Sequence, residues 1–428
     1  VKYHTDRVRC SLLVVTLLAV PAIAAPPPTG LTRVLPDDGG PIREITLHYD
    51  PEIRDALELA YDDLLDALDP DVDLQVFCPN HAAAQEFRHR WGICETARGR
   101  RVTVINARCP ITIWARDRRI ARFDTRTGAE AAPLIPATPV QIETEKRNEA
   151  ALGAALATTD RRPGPMRDEL VIEGGNVVAN IRHVFVGANV FDDNADTGHD
   201  PDAIRRVLAR ELGNDLVLLR DFQGTVPWCH VDMYLTPLDE RTVLLASPAL
   251  GAAALDWDEI DNGNAPGIET MTDEIDDSPD IAKRFESIAF ALEALGYRVR
   301  FAPALAGLDE NWLVTYTNVL TERRGRRRIV YMPVYEIPSL DRLAARIYRR
   351  RGFEVRTVDV SGIFSLGGAL RCIANVTRRD PLPSNAPRRL ARIAPTPAGL
   401  NPLTAPDTAA DTNVLVPAAA PLPGVTRQ

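Results

Sequence analysis

The chain has no apolar run long enough to cross a membrane, no surplus of basic charge and only six cysteines in 428 residues. The N-terminal apolar stretch Ser11–Ile23 is shorter than the roughly 20 residues of a spanning helix, and Pro26-Pro27-Pro28 follows it. With Lys2, Arg7 and Arg9 ahead and Ala22-Ile23-Ala24 behind, it reads as a signal peptide cleaved after Ala24. The expected mature chain is secreted or periplasmic and makes no membrane contact. Formal net charge is −9, and it becomes −11 once residues 1–24, with three basic and one acidic residue, are removed. That balance disfavours nucleic acid as a partner and suits a cationic substrate. Export leaves Cys78, Cys94, Cys109, Cys229 and Cys372, an odd number, so at least one thiol stays unpaired in an oxidising compartment. The sequence does not fix any pairing among the first four, and a Cys229–Cys372 disulfide would make Cys372 structural.

A hydrophobic content of 45% supports a substantial core. Residues 25–41 read as a Pro-rich linker, 42–378 as the catalytic domain, and 379–428 as an extended or disordered tail holding ten of the 34 prolines. Asp50-Pro51 opens a helix as N-cap and first-turn proline, with Ile53, Leu57, Tyr61, Leu64 and Leu68 on one face. Asp200-Pro201 repeats the device before Ile204, Val207, Leu208 and Leu212. Three times an amphipathic helix ends in glycine and runs into a strand, at Gly213, Gly296 and Gly352, because glycine accepts positive φ at little cost. Repeated α/β units fit this pattern better than a helix bundle. The polar stretches Thr127–Arg167 and Asp256–Asp280 read as solvated surface loops. Asp192, Asn194, Asp196 and Asp200 approach the spacing of a calcium loop, without its glycine and terminal Glu.

Four segments set reactive side chains beside apolar runs: Trp114-Ala115-Arg116-Asp117, Glu173-Gly174-Gly175-Asn176, His230-Val231-Asp232 and Gly367-Gly368-Ala369-Leu370-Arg371-Cys372. Alone, each is unremarkable: a Glu-Gly-Gly-Asn is usually a hairpin turn, a His-x-Asp a satisfied pair on a strand, a lone cysteine a small core residue. On a strand, the period of two would put His230 and Asp232 on one face. A glycine pair before Cys372 and a cation directly beside it in sequence would both favour a reactive thiolate.

In this order, the four segments resemble the guanidine-modifying (pentein) superfamily, most closely its agmatine deiminase and bacterial peptidylarginine deiminase branch. Thr315-Tyr316-Thr317-Asn318 and Ile329–Pro333 are similar to two further strands of that family. The resemblance implies an α/β fold, a propeller of five ββαβ units with pseudo-fivefold symmetry around a central site. It also implies covalent catalysis without metal or organic cofactor. Cys372 would attack the guanidinium carbon, His230 would protonate the departing amine and then activate water, and Glu173 would orient His230. Asp117 and Asp232 would bind the guanidinium in its plane, with Trp114 and Asn318 as further substrate contacts and Arg371 as an aid to thiolate formation. Close agmatine deiminases continue the first motif with Gly-Pro, where this chain has Arg118-Arg119-Ile120. They also carry Ile-His before the nucleophile, where this chain has Leu370-Arg371. The expected function is an exported deiminase that converts peptidyl arginine or a small guanidine compound such as agmatine to a ureido product and ammonia. An amidinotransferase of the same superfamily and a non-catalytic arginine-binding propeller are the alternatives.

Overall fold

The computed structural model describes residues 32–92, 100–137, 151–157, 166–213, 215–221 and 223–380. The expected signal segment 1–24, Cys94 and the stretch from 381 onward lie outside the described residues. Helices begin where capping chemistry places them. The Asp50 side chain accepts the Glu52 N–H, Pro51 opens the first turn, and helix Arg54–Ala67 buries Leu57, Tyr61 and Leu64. Asp200 caps helix Pro201–Leu212 in the same way through the Ala203 N–H. The helix-ending glycines Gly213, Gly296 and Gly352 all have positive φ, as the helix-to-strand reading requires.

Among the described residues the strands form five separate sheets. One unit recurs in them: an antiparallel strand pair, a helix, then a strand parallel to the second of the pair. It is seen in Val177–Ala179, Val184–Gly187, helix Pro201–Leu212 and Leu216–Leu219. A second copy runs Leu235–Asp239, Thr242–Ser247, helix Pro279–Ala294 and Arg298–Gly307. A third runs Leu320–Arg324, Arg327–Val334, helix Pro338–Arg350 and Phe353–Asp359. In a fourth, Ala374–Arg379 pairs antiparallel with Ile42–His48, and helix Arg54–Ala67 leads to the parallel strand Asp73–Cys78. The fifth is Ile120–Asp124, Glu130–Ala137, helical residues 151–157 and Met166–Val171.

The fold differs from the sequence reading in its boundaries and in two supposed loops. Strand Thr32–Val34, inside the expected linker 25–41, pairs with Ile120–Asp124. At the other end, Arg379 belongs to a strand and donates to the Gly40 and Thr321 carbonyls. The stretch 127–167 contributes strand Glu130–Ala137 and buries Leu134, Ile135, Leu152 and Leu156. The stretch 256–280 folds into the short helix Trp257–Asp261 and buries Ala265 and Ile268. Polar composition concealed these anchors because apolar residues are few there. The calcium-like spacing is spent on structure: Asp200 is a cap, and buried Asn194 donates to the Val171 and Val190 carbonyls. Among the described residues, no helix is long and apolar enough to cross a membrane.

Candidate active site

The units matter because of what precedes them. The first strands of the five units begin at Ile120, Val177, Leu235, Leu320 and Ala374. The turns just ahead of them hold Asp117, Glu173, His230 with Asp232, Asn318 and Cys372. Residues hundreds of positions apart are thus gathered by the same place in each unit.

His230 Nε2 lies 2.7 Å from Glu173 Oε2, and its Nδ1 lies 3.8 Å from Asp117 Oδ1. Glu173 is held from its other oxygen by Arg118, whose guanidinium donates at 2.7 Å. Asp117 Oδ1 accepts the Gly175 N–H at 3.0 Å. Only glycine fits there, because a Cβ on Gly175 would stand 2.6 Å from His230 Nδ1. On the nucleophile side, Asn318 Nδ2 is 3.4 Å from Cys372 Sγ and 3.3 Å from the Asp232 carbonyl, and Asn318 Oδ1 accepts the Arg371 N–H at 2.7 Å. Gly367 has a φ of +94°, which turns the chain sharply before the short helix Leu370–Ile373. Gly368 packs under the ring of Trp114, and a Cβ there would meet the ring at 2.5 Å. Cys372 is a free thiol, so the Cys229 pairing is not formed; Cys78, Cys109 and Cys229 are free as well.

The electrostatics divide the site in two. Burial pulls the His230 pKa down, but Asp117, Cys229 and Glu173 outweigh it and hold it well above the ordinary histidine value of 6.5. Burial pushes the Asp117 pKa up to about 6 against the attraction of His230 and Arg118. Burial, then Asp232 and Asp117, push the Cys372 thiol well above 9.0. The His230 and Cys372 shifts favour a charged imidazole and a neutral thiol. Cys372 and Asp232 are 3% and 0% exposed, while the His230 and Glu173 side chains are 14% and 26% exposed. His230 and Glu173 face solvent and Cys372 lies deeper.

The structure brings together all seven side chains expected from sequence, with two corrections. His230-Val231-Asp232 is not a strand: His230 caps a single 3-10 turn, Val231–Met233. Its two polar side chains take different partners, His230 facing Glu173 and Asp232 facing Arg371. Arg371 is not aimed at the thiol as an activator, because its guanidinium is engaged by Asp37 and Asp232. Asp37 and Arg118 were missed. Asp37 sits in Pro36-Asp37-Asp38-Gly39-Gly40, whose composition signals a turn. Arg118 stands out in the sequence only as a departure from the Gly-Pro of close agmatine deiminases. Among the described residues, Asp117, Glu173 and His230 also form a group whose ligand atoms lie within 4.8 Å of one another, close enough to hold a metal ion. Gly175 and Arg118 already serve its two carboxylates as donors.

Comparison with known proteins agrees with this fold. Agmatine deiminase of Enterococcus faecalis superposes with a TM-score of 0.59 at 12% identity, covering 84% of this chain and 99% of that one. The C. jejuni agmatine deiminase gives 0.58 at 13%, covering 82% and 98%. At such identities the likeness establishes the shared mixed α/β fold. No curated protein sequence matches the chain. The sequence model of the Porphyromonas-type peptidyl-arginine deiminases matches residues 49–377, most of the chain, so this protein belongs to that family and is a guanidine-modifying deiminase, a hydrolase of C–N bonds.

Proposed function

We propose that the protein is an exported deiminase of peptidyl arginine or a small guanidine compound, working through a covalent Cys372 intermediate at the centre of a five-unit propeller. The observation that carries the substrate reading is Asp232: its carboxylate is buried, Oδ1 has no hydrogen-bond partner, and it raises the pKa of the neighbouring thiol. An unpaired buried carboxylate oxygen is costly. A guanidinium satisfies it, being planar, always charged and rich in donors. Asp117, 3.8 Å from His230 Nδ1, supplies a second buried acid.

The chemistry follows from the charges. A substrate cation placed against Asp232 and Asp117 cancels the two charges that disfavour the thiolate, so nucleophile and substrate activate together. As the cation binds, the Cys372 thiol releases its proton to solvent; the thiolate bonds to the guanidinium carbon, and one amino group leaves as ammonia after taking a proton from His230. The neutral imidazole then accepts a proton from water as its oxygen attacks the S-alkylthiouronium carbon. The C–S bond breaks, the thiolate returns, and the proton left on the new oxygen passes to the ammonia. Net, guanidinium and water give a ureido group and ammonium. Glu173, itself held by Arg118, keeps the imidazole oriented and cationic for the first step.

The five turns that precede the first strands support the propeller arrangement, because equivalent turns converge only if the units are placed around a common centre. The expectation of a cleaved signal peptide supports export. The deciding experiment measures ureido product and ammonia from agmatine, free arginine and an arginine-containing peptide, with Cys372→Ala as the control. Turnover lost in the variant supports the proposal and names the substrate class. Absence of ureido product from folded protein with a free Cys372 thiol would sink it, in favour of amidino transfer to an amine or of arginine binding without turnover.

A further inference from the structure

A guanidinium of the protein already touches the carboxylate that the substrate needs. Arg371 Nε donates to Asp232 Oδ2 at 3.2 Å, and Arg371 Nη1 donates to Asp37 Oδ1 at 2.5 Å. All three residues are more than nine-tenths buried. A guanidinium seated on a carboxylate uses two parallel N–H donors on two oxygens. Here the second half of that fork is missing on both sides: Arg371 Nη2 and Asp232 Oδ1 are buried and unpartnered. Arg371 is therefore turned off Asp232 and toward Asp37, making one bond to each.

Asp37 is built to hold that position. Its other carboxylate oxygen accepts the Ala179 N–H at 2.9 Å, its own N–H donates to the Ala179 carbonyl at 2.8 Å, and its carbonyl accepts from Thr321 Oγ1 at 2.8 Å. Fixed on two units at once, it cannot follow Arg371 if that side chain rotates. Burial opposes its ionisation, but Arg371 and Arg116 outweigh burial and keep its pKa below the ordinary value.

Resting on the deiminase reading, we infer that Asp37 is a positioning residue: it restrains Arg371 so that Asp232 keeps one oxygen free for the substrate guanidinium. Without it, Arg371 seats its full fork on Asp232 and acts as an internal competitor. Restraint and competition make a prediction that a merely structural role does not. Asp37→Asn raises KM about tenfold or more, the scale of one charge-assisted hydrogen bond, with a smaller change in kcat. Adding Arg371→Lys in the same chain brings KM back toward wild type, because an ammonium cannot form the fork.

The test is steady-state ureido formation by wild type, Asp37→Asn, Arg371→Lys and the double variant, with melting temperatures alongside. Recovery of KM in the double variant supports the inference. A double variant worse than Asp37→Asn, or kcat and KM losses that track melting temperature, overturns it. If Asp37→Asn does not fold, Arg371→Lys alone decides: KM at or below wild type is expected, and a tenfold rise overturns the inference. Wild-type turnover with KM unmoved in Asp37→Asn removes this inference and leaves the deiminase reading intact, whereas no wild-type turnover removes both.

Discussion

Replacing Glu173 by Gln keeps the shape around His230 and removes one negative charge. In the native site that charge sits 2.7 Å from the imidazole nitrogen. Two unit charges about 4 Å apart interact by about 4 kcal/mol at an effective dielectric of about 20. The Glu173 side chain is 26% exposed and shares its charge with Arg118, so roughly a third of that is a fair expectation for the net loss. About 1.4 kcal/mol corresponds to a factor of about ten in proton affinity. In the proposed mechanism His230 acts first as an acid, so kcat/KM falls as pH rises through its pKa. In Glu173→Gln that alkaline limb should move to lower pH by about one unit. The same titration can be followed through the imidazole resonances of the Cys372→Ala protein, away from turnover. The sign also holds for stability. A histidine held above 6.5 contributes stability that is present below that value and is lost as pH rises through its native pKa, so the Gln variant should lose stability chiefly on the acid side. An alkaline limb that stays put, or moves upward, would refute the assignment of Glu173 as the group that keeps His230 charged.

Other expectations follow from the same contacts. Asp232→Asn removes the largest charge effect on the Cys372 thiol, so alkylation of Cys372 at neutral pH, read by peptide mass, should speed up roughly tenfold in the free protein; an unchanged rate would refute the charge argument. Gly368→Ala forces a Cβ to within 2.5 Å of the Trp114 ring, and should cut kcat/KM while shifting tryptophan fluorescence. Asp38 has a buried, unpaired Oδ1 and a pKa pushed up to about 7, first by burial and then by Asp37. Because the native state binds that proton more tightly than the unfolded chain, stability should fall as pH rises from about 4 to about 7, and chemical denaturation of Asp38→Asn should show a flatter dependence. Asn375→Ala strips donors from the Ala115 and Arg119 carbonyls and an acceptor from Arg116; it should cost on the order of 2–4 kcal/mol and lower activity without touching substrate.

The sequence was most legible where one residue type has one local use. Asp-Pro helix starts and glycine helix ends appeared where expected, since a cap and a positive φ are decided within a few residues. The four motif segments were legible as chemistry because glycine pairs and polar clusters interrupt apolar strands. Distant pairing was not legible. Asp37 meets Arg371 across 334 positions, and nothing local distinguishes Asp37 from an ordinary turn aspartate. Arg371 follows the opposite logic: adjacency to Cys372 suggested an activator, yet neighbours one apart in a helical turn point in different directions. His230 and Asp232 fail as a strand pair for a related reason. In a turn of three residues per revolution, positions two apart diverge, and that divergence lets one segment face both Glu173 and Arg371.

This arrangement explains how a compact site arises from residues spread over most of the chain. Each unit offers the turn ahead of its first strand, and backbone pairing fixes where that turn stands. The nucleophile turn is the extreme case, since Cys372 runs directly into Ala374–Arg379, whose partner is Ile42–His48 at the other end of the described chain. Asn375, one residue into that strand, then bonds the turn carrying Asp117 through the carbonyls of Ala115 and Arg119, while the Arg116 N–H donates to the Cys372 carbonyl. Closing the sheet and placing the thiol beside its two acids are therefore one event. Burial first, then Asp232 and Asp117, disfavour the thiolate, and on the proposed reading, in which those carboxylates take the substrate guanidinium, such a site stays quiet until a cation arrives to balance them.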